Sequence, residues 1–159
     1  MVNFNDHMHD IVVPRCYIVI DECMSSYEGS EGKYTIRGPP NKTKIARKPR
    51  GVRAEFKSAA CGESKLIIRL ELQEGKERMA TREFVAKYGP AVAVTLRLVK
   101  PWAHTDRVII GDSAFGGVKC GVAADVEMRF HMTALVKQCS SQYPKALMAE
   151  HDKTVVKDV

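Results

Sequence analysis

The chain of 159 residues is 45% hydrophobic and 28% charged, with a formal net charge of +6. That is material for one domain whose core stands without a disulfide framework or a metal staple. Its longest apolar runs, Cys16 to Ile20 and Ala91 to Val99, fall short of the roughly 20 residues of a membrane span, so no membrane partner is expected.

Met1 to Asp10 contains two acids, two histidines and no basic stretch, which gives no secretory signal and an expected intracellular, cytosolic or nuclear address. Residues 1–11 read as a flexible terminus, with the His7-x-His9 pair solvated rather than metal-bound. Cys16 to Ile20 is a β-branched run suited to a strand buried on both faces, and it ends in Asp21-Glu22. A glycine-punctuated loop follows, in which Arg37-Gly38-Pro39-Pro40-Asn41 excludes helix and central strand. Gly51 to Ala60 alternates as a half-buried strand, Cys61 to Ser64 makes a tight connection, and Lys65 to Leu72 supplies the hairpin partner.

Beyond Lys76 the period changes to 3.6. A lead-in over Arg82 to Tyr88 and a main helix from Pro90 to about Val99 are predicted, divided at Gly89 and stopped by Pro101. Arg107 to Ile110 is a second β-branched run, followed by Gly111-Asp112. Ser113 to Asp125 reads as a weak helix, Phe130 to Val136 as a strand, and Tyr143 to His151 as the opening of a last helix. The order β-β-β-α-β-α-β predicts an α/β fold with a mixed sheet and flanking helices, its core spanning 12–147 and a tail over 148–159. The five cysteines form no Cys-x-x-Cys pair and are expected as reduced thiols, with Cys23 packed beneath the nearby acids.

Charge is concentrated in one segment. From Lys33 to Lys57 nine basic residues face a single acid, Glu55, a local +8 that leaves the rest of the chain at −2. Lys42, Lys44, Arg47, Lys48, Arg50 and Arg53 are candidate phosphate contacts, since neutralising a polyanion releases its counterions. A solvated loop kept extended by like charges is the alternative. Both apolar runs end in an acid, and ligand sites in α/β sheets gather at the carboxyl ends of strands. If those strands are parallel neighbours, Asp21 and Asp112 form a carboxylate pair able to hold Mg²⁺ or Mn²⁺ for phosphoryl chemistry. A turn-forming Asp21 and a helix-capping Asp112 are the competing reading. His104 beside Asp106 reads as a surface pair.

Ile18-Val19-Ile20-Asp21-Glu22-Cys23-Met24, Lys48-Pro49-Arg50-Gly51-Val52-Arg53, Val108-Ile109-Ile110-Gly111-Asp112-Ser113-Ala114-Phe115, and Thr133-Ala134-Leu135-Val136-Lys137 with Tyr143-Pro144-Lys145-Ala146-Leu147 resemble the catalytic domain of piggyBac-type transposases. The resemblance spans about Val12 to Leu147. It implies an RNase H-like core, divalent metal on three catalytic aspartates with Asp21 and Asp112 as the first two, DNA at transposon ends as partner, a homodimer and a nuclear address. Three departures stand out: Ser113 follows Asp112 where the family has Asn, Gly116-Gly117 replaces Thr-Ser, and no residue here matches the third aspartate. The resemblance therefore implies a core incomplete at its C-terminus, with strand cleavage and transfer weak or lost. A non-catalytic, domesticated DNA-binding or protein-interaction module using the 33–57 segment is the alternative, and an open reading frame that folds poorly alone is the third.

Overall fold

A computed structural model describes residues 2–26, 41, 43–44, 52–137, 144 and 146 of the chain. Its sheet is built around β1 (Tyr17–Ser26), which pairs antiparallel with β3 (Val52–Cys61) on one side and parallel with β5 (Val108–Gly111) on the other. β4 (Ile67–Leu72) adds antiparallel to β3, and the short β2 (Thr43–Lys44) joins the same edge of β3 nearer its start. β6 (His131–Ala134) lies parallel to β5 at the opposite end. The mixed α/β sheet expected from the order of elements is therefore present. The hairpin strands are antiparallel on one side of β1, and the strands that follow helices are parallel on the other.

Side-chain alternation decides which face is inside. Ile18 and Ile20 on β1, Ala59 and Cys61 on β3, Ile68 on β4 and Ile109 on β5 are buried. They are covered by α4 (Pro90–Val99) and α5 (Val118–Met128), whose Leu96, Leu98, Val99, Cys120, Ala123, Ala124 and Met128 complete one cluster. α4 is apolar almost all round, as suits a helix at the centre of a core. The residues on the other face of the sheet, Tyr17, Val19, Val108 and Ile110, are exposed or half-buried.

The predicted main helix agrees with α4 residue for residue, and α3 (Val85–Tyr88) is the lead-in. Gly89 separates them at φ +83, a left-handed conformation, and Pro90 then opens α4 with its ready-made helical φ. The polar connection before them carries an unforeseen helix, α2 (Lys76–Ala80). Arg97, the one charged residue of α4, reaches back to β4 and forks onto Glu71 with bonds of 2.8 and 2.7 Å. The helix expected from Ser113 begins later, at Val118, because Asp112 to Gly116 is taken up by a turn. The predicted last helix lies almost wholly outside the described residues. Among the described residues Cys16, Cys23, Cys61 and Cys120 are free thiols, and no helix is long and apolar enough to cross a membrane.

The flexible terminus expected over 1–11 is corrected. Val2–Ile11 forms α1, docked along β4. The reason is Asn5: its Nδ2 donates to the Leu70 carbonyl at 2.9 Å, and its Oδ1 accepts the Leu70 N–H at 2.8 Å. One side chain thus satisfies both backbone groups on the outer edge of β4, where an unpaired edge would otherwise invite another strand. His7 and His9 lie two positions apart on this helix, which turns their side chains to different faces; the His9 ring lies 6.0 Å from Trp102. Asn5→Ala is expected to lower stability by about 1–3 kcal/mol, because both Leu70 groups lose their partner. Asn5→Asp, which keeps the acceptor and loses the donor, should fall between the two in urea denaturation.

Candidate metal and nucleic-acid site

The two acids singled out from the sequence are brought side by side. In the parallel register of β1 and β5, Val19 stands opposite Ile110 and Ile20 opposite Gly111. Asp21 and Asp112 come next, Asp21 continuing β1 and Asp112 being the first residue after β5, and the axes of these two strands lie about 5 Å apart. Asp21 shares the face of Val19, on the side away from the buried isoleucines, and Asp112 opens the turn that follows β5, two residues beyond Ile110. Both are exposed.

Local backbone orients each carboxylate. The Glu22 N–H donates to Asp21 Oδ1 at 2.7 Å, and the Ala114 N–H donates to Asp112 Oδ1 at 2.8 Å. One oxygen of each acid is thereby held, while the other has no hydrogen-bond partner among the described residues. The Ser58 hydroxyl, on the neighbouring strand, donates to the Asp21 carbonyl at 3.1 Å and fixes the backbone beneath it. Exposed carboxylate oxygens of this kind fit a hard divalent cation such as Mg²⁺ or Mn²⁺, with water completing the shell. Among the described residues no cluster of three or more His, Cys, Asp or Glu side chains is placed to hold an ion.

Two sequence readings are corrected here. Asp21 does not end its strand: β1 continues to Ser26, because β3 pairs with it as far as Ser26 opposite Arg53. What ends at Asp21 is the overlap with β5. Beyond it β1 runs on along β3 as a ribbon without β5, flanked on the far side of β3 first by β4 and then by β2, and its tip lies about 17 Å further at the usual rise per residue. Asp112 does not cap α5 either. It opens a turn in which its carbonyl accepts the N–H groups of Phe115 at 3.2 Å and Gly116 at 2.6 Å.

Gly116 is what lets this turn close. A Cβ there would lie 2.4 Å from the Leu135 carbonyl oxygen, 2.8 Å from that of Asp112 and 2.9 Å from Ala134 Cβ. The glycine pair that departs from the family pattern is thus tied at its first position to backbone on both sides. Gly117, at φ −167, is in extended backbone open to any residue, with no atom within 4 Å of a Cβ.

Of the candidate phosphate contacts, Lys42, Arg47, Lys48 and Arg50 lie outside the described residues, and only the backbone of Lys44 is described, within β2. Arg53 is half-buried on β3, paired in register with both Ser26 and Thr43. β2 and the start of β3 therefore place the flanks of the basic segment at the ribbon tip. Cys23 is half-buried two residues beyond Asp21 on the same side of β1, further along the strand rather than beneath it. His104 is exposed and does not pair with Asp106, whose carboxylate lies 3.4 Å from Arg129. Ser58 does not stand out in the sequence, and Gly116 does so only as a departure from the family pattern, because their roles depend on which strand lies beside them.

A family model described as Transposase IS4 matches residues 1–157. No curated protein matches. The fold is similar to that of a piggyBac transposase solved in a synaptic complex with hairpin DNA, with a TM-score of 0.68 and 17% identity. The alignment covers 86% of this chain and 26% of that one, so the chain spans about a quarter of its length.

Gly116→Ala is expected to cost about 1–3 kcal/mol, the range for overpacking a tight site, because backbone rather than a pliable side chain blocks the methyl group. Gly117→Ala is expected within about 0.5 kcal/mol of the parent. Thermal unfolding of the two variants side by side checks the assignment.

Proposed function

Because this chain belongs to the transposase IS4 family, we propose that Asp21 and Asp112 hold a divalent metal for phosphodiester cleavage and transfer at the ends of a mobile DNA element. The observation that supports the reading is the parallel register of β1 and β5, whose last pair, Ile20 opposite Gly111, immediately precedes the two acids. When bound there, Mg²⁺ or Mn²⁺ supplies charge stabilisation to the attacking and leaving oxygens of the displacement. The chain's own residues do the rest. Asp21 and Asp112 each present a carboxylate already oriented by a backbone N–H, and Ser58 steadies the strand beneath Asp21.

On this reading Lys42, Lys44, Arg47, Lys48, Arg50 and Arg53 bind the duplex phosphates. A phosphate track displaced from the chemistry positions the DNA without reading its sequence. A nuclear address and a homodimer accompany the same reading.

Adding Mn²⁺ at about ten times its dissociation constant is expected to stabilise the chain by about 1.4 kcal/mol. Asp21→Asn and Asp112→Asn, which keep the shape and the N–H acceptor, should each abolish that gain in a thermal-shift titration. Stabilisation unchanged in both variants removes the proposed metal site. Duplex binding is expected to weaken with salt at a log-log slope of about −0.9 per phosphate neutralised. Alanine at Arg47, Lys48, Arg50 and Arg53 should flatten that slope. Salt-sensitive DNA binding that persists without any metal response would instead favour a non-catalytic DNA-binding module.

A further inference from the structure

We infer that Lys57 is a positioning residue for the metal site, a strut that joins the strand bearing Asp21 to the turn bearing Asp112; this rests on the reading of those two acids as the metal ligands. Lys57 lies on β3 directly across from Glu22, the residue after Asp21. Its Nζ stands 2.7 Å from Glu55 Oε1, 3.6 Å from Glu22 Oε2 and 5.2 Å from the centre of the Phe115 ring. The lysine side chain is only 16% exposed, and Phe115 is buried at 6%. An ammonium largely removed from water interacts more strongly with an aromatic face and with carboxylates than one in solvent.

The two ends of this contact lead to the two acids. Glu22 is bonded through its own N–H to Asp21 Oδ1, so an ion pair that fixes Glu22 also steadies the peptide that orients Asp21. Phe115 closes the Asp112 turn through its N–H bond to the Asp112 carbonyl. A cation seated over its ring, on the buried side of the sheet, holds that turn against β1 and β3. Alternation puts Lys57 and Glu22 on the side opposite Asp21, which gives the lysine no direct access to a bound ion. Its effect passes through the backbone, as outer residues around a metal commonly act on its ligands.

The test is Mn²⁺ binding by the full chain, read from the electron paramagnetic resonance signal of free Mn²⁺, with the metal-free unfolding midpoint measured in parallel. Lys57→Met keeps the alkyl stem and removes the charge, and is expected to weaken Mn²⁺ binding about tenfold, within the range for outer-shell substitutions. Lys57→Arg retains a cation over the ring and should return to within about threefold of the parent. Phe115→Leu removes the ring, leaves the ion pairs in place and should reproduce the loss, which covers the case in which Lys57→Met does not fold. Parental affinity in folded Lys57→Met, in Phe115→Leu, or no rescue by Lys57→Arg would overturn the strut while leaving the metal site standing. No Mn²⁺ binding by the parent chain overturns the metal reading, and the strut with it.

Discussion

Parallel pairing of β1 with β5 is the constraint on which the rest depends. It is set by burial rather than by the acids themselves. Ile18 and Ile109 stand opposite each other on the buried face, and Ile20 joins them one step of alternation further along β1. Burying an isoleucine contributes roughly 1.5–3 kcal/mol. A slip of one residue would turn one strand's isoleucines out to the other face, and it would equally part Asp21 from Asp112. The same apolar pattern that packs the core therefore brings two charged residues together at its rim, with no attraction between them required.

The sheet also separates two jobs along one strand. Up to Asp21, β1 is a central strand flanked on both sides and backed by α4 and α5. Beyond it β1 continues along β3, which β4 and then β2 flank, so that the backbone of Lys44 and of Arg53 lies at the far end. This division suits a protein whose metal-bound chemistry is local but whose polyanionic partner is long. On the proposed reading the flanked part of β1 holds the carboxylates, while phosphate contacts lie several residues away. The Asp112 turn bridges the two regions through the Gly116 close approach and through Phe115 beneath Lys57.

Much of this was legible in the sequence because it rests on local signals. The β-branched runs gave β1 and β5, the Gly89-Pro90 pair gave the break before α4, and the Cys61 to Ser64 turn gave the hairpin. Asp21 and Asp112 were found because each follows such a run. What escaped depended on contacts distant in sequence. The helix α1 has an unremarkable composition, and its place is decided by Asn5 meeting a strand edge 65 residues away. The length of β1 was underestimated because polar Asp21, Glu22, Ser25 and Ser26 weaken the apolar signal, yet their backbone still pairs with β3. Lys57 belongs to a run of basic residues that reads as one solvated patch; only the fold separates it, as a largely desolvated cation between two carboxylates and a ring.

The most direct measurement of the central claim is an anomalous difference map from crystals of the chain grown with Mn²⁺. The account predicts a peak at the rim of β1 and β5, within direct ligand distance of one oxygen from Asp21 and one from Asp112. A peak held elsewhere, or none in crystals whose sheet is intact, would contradict it.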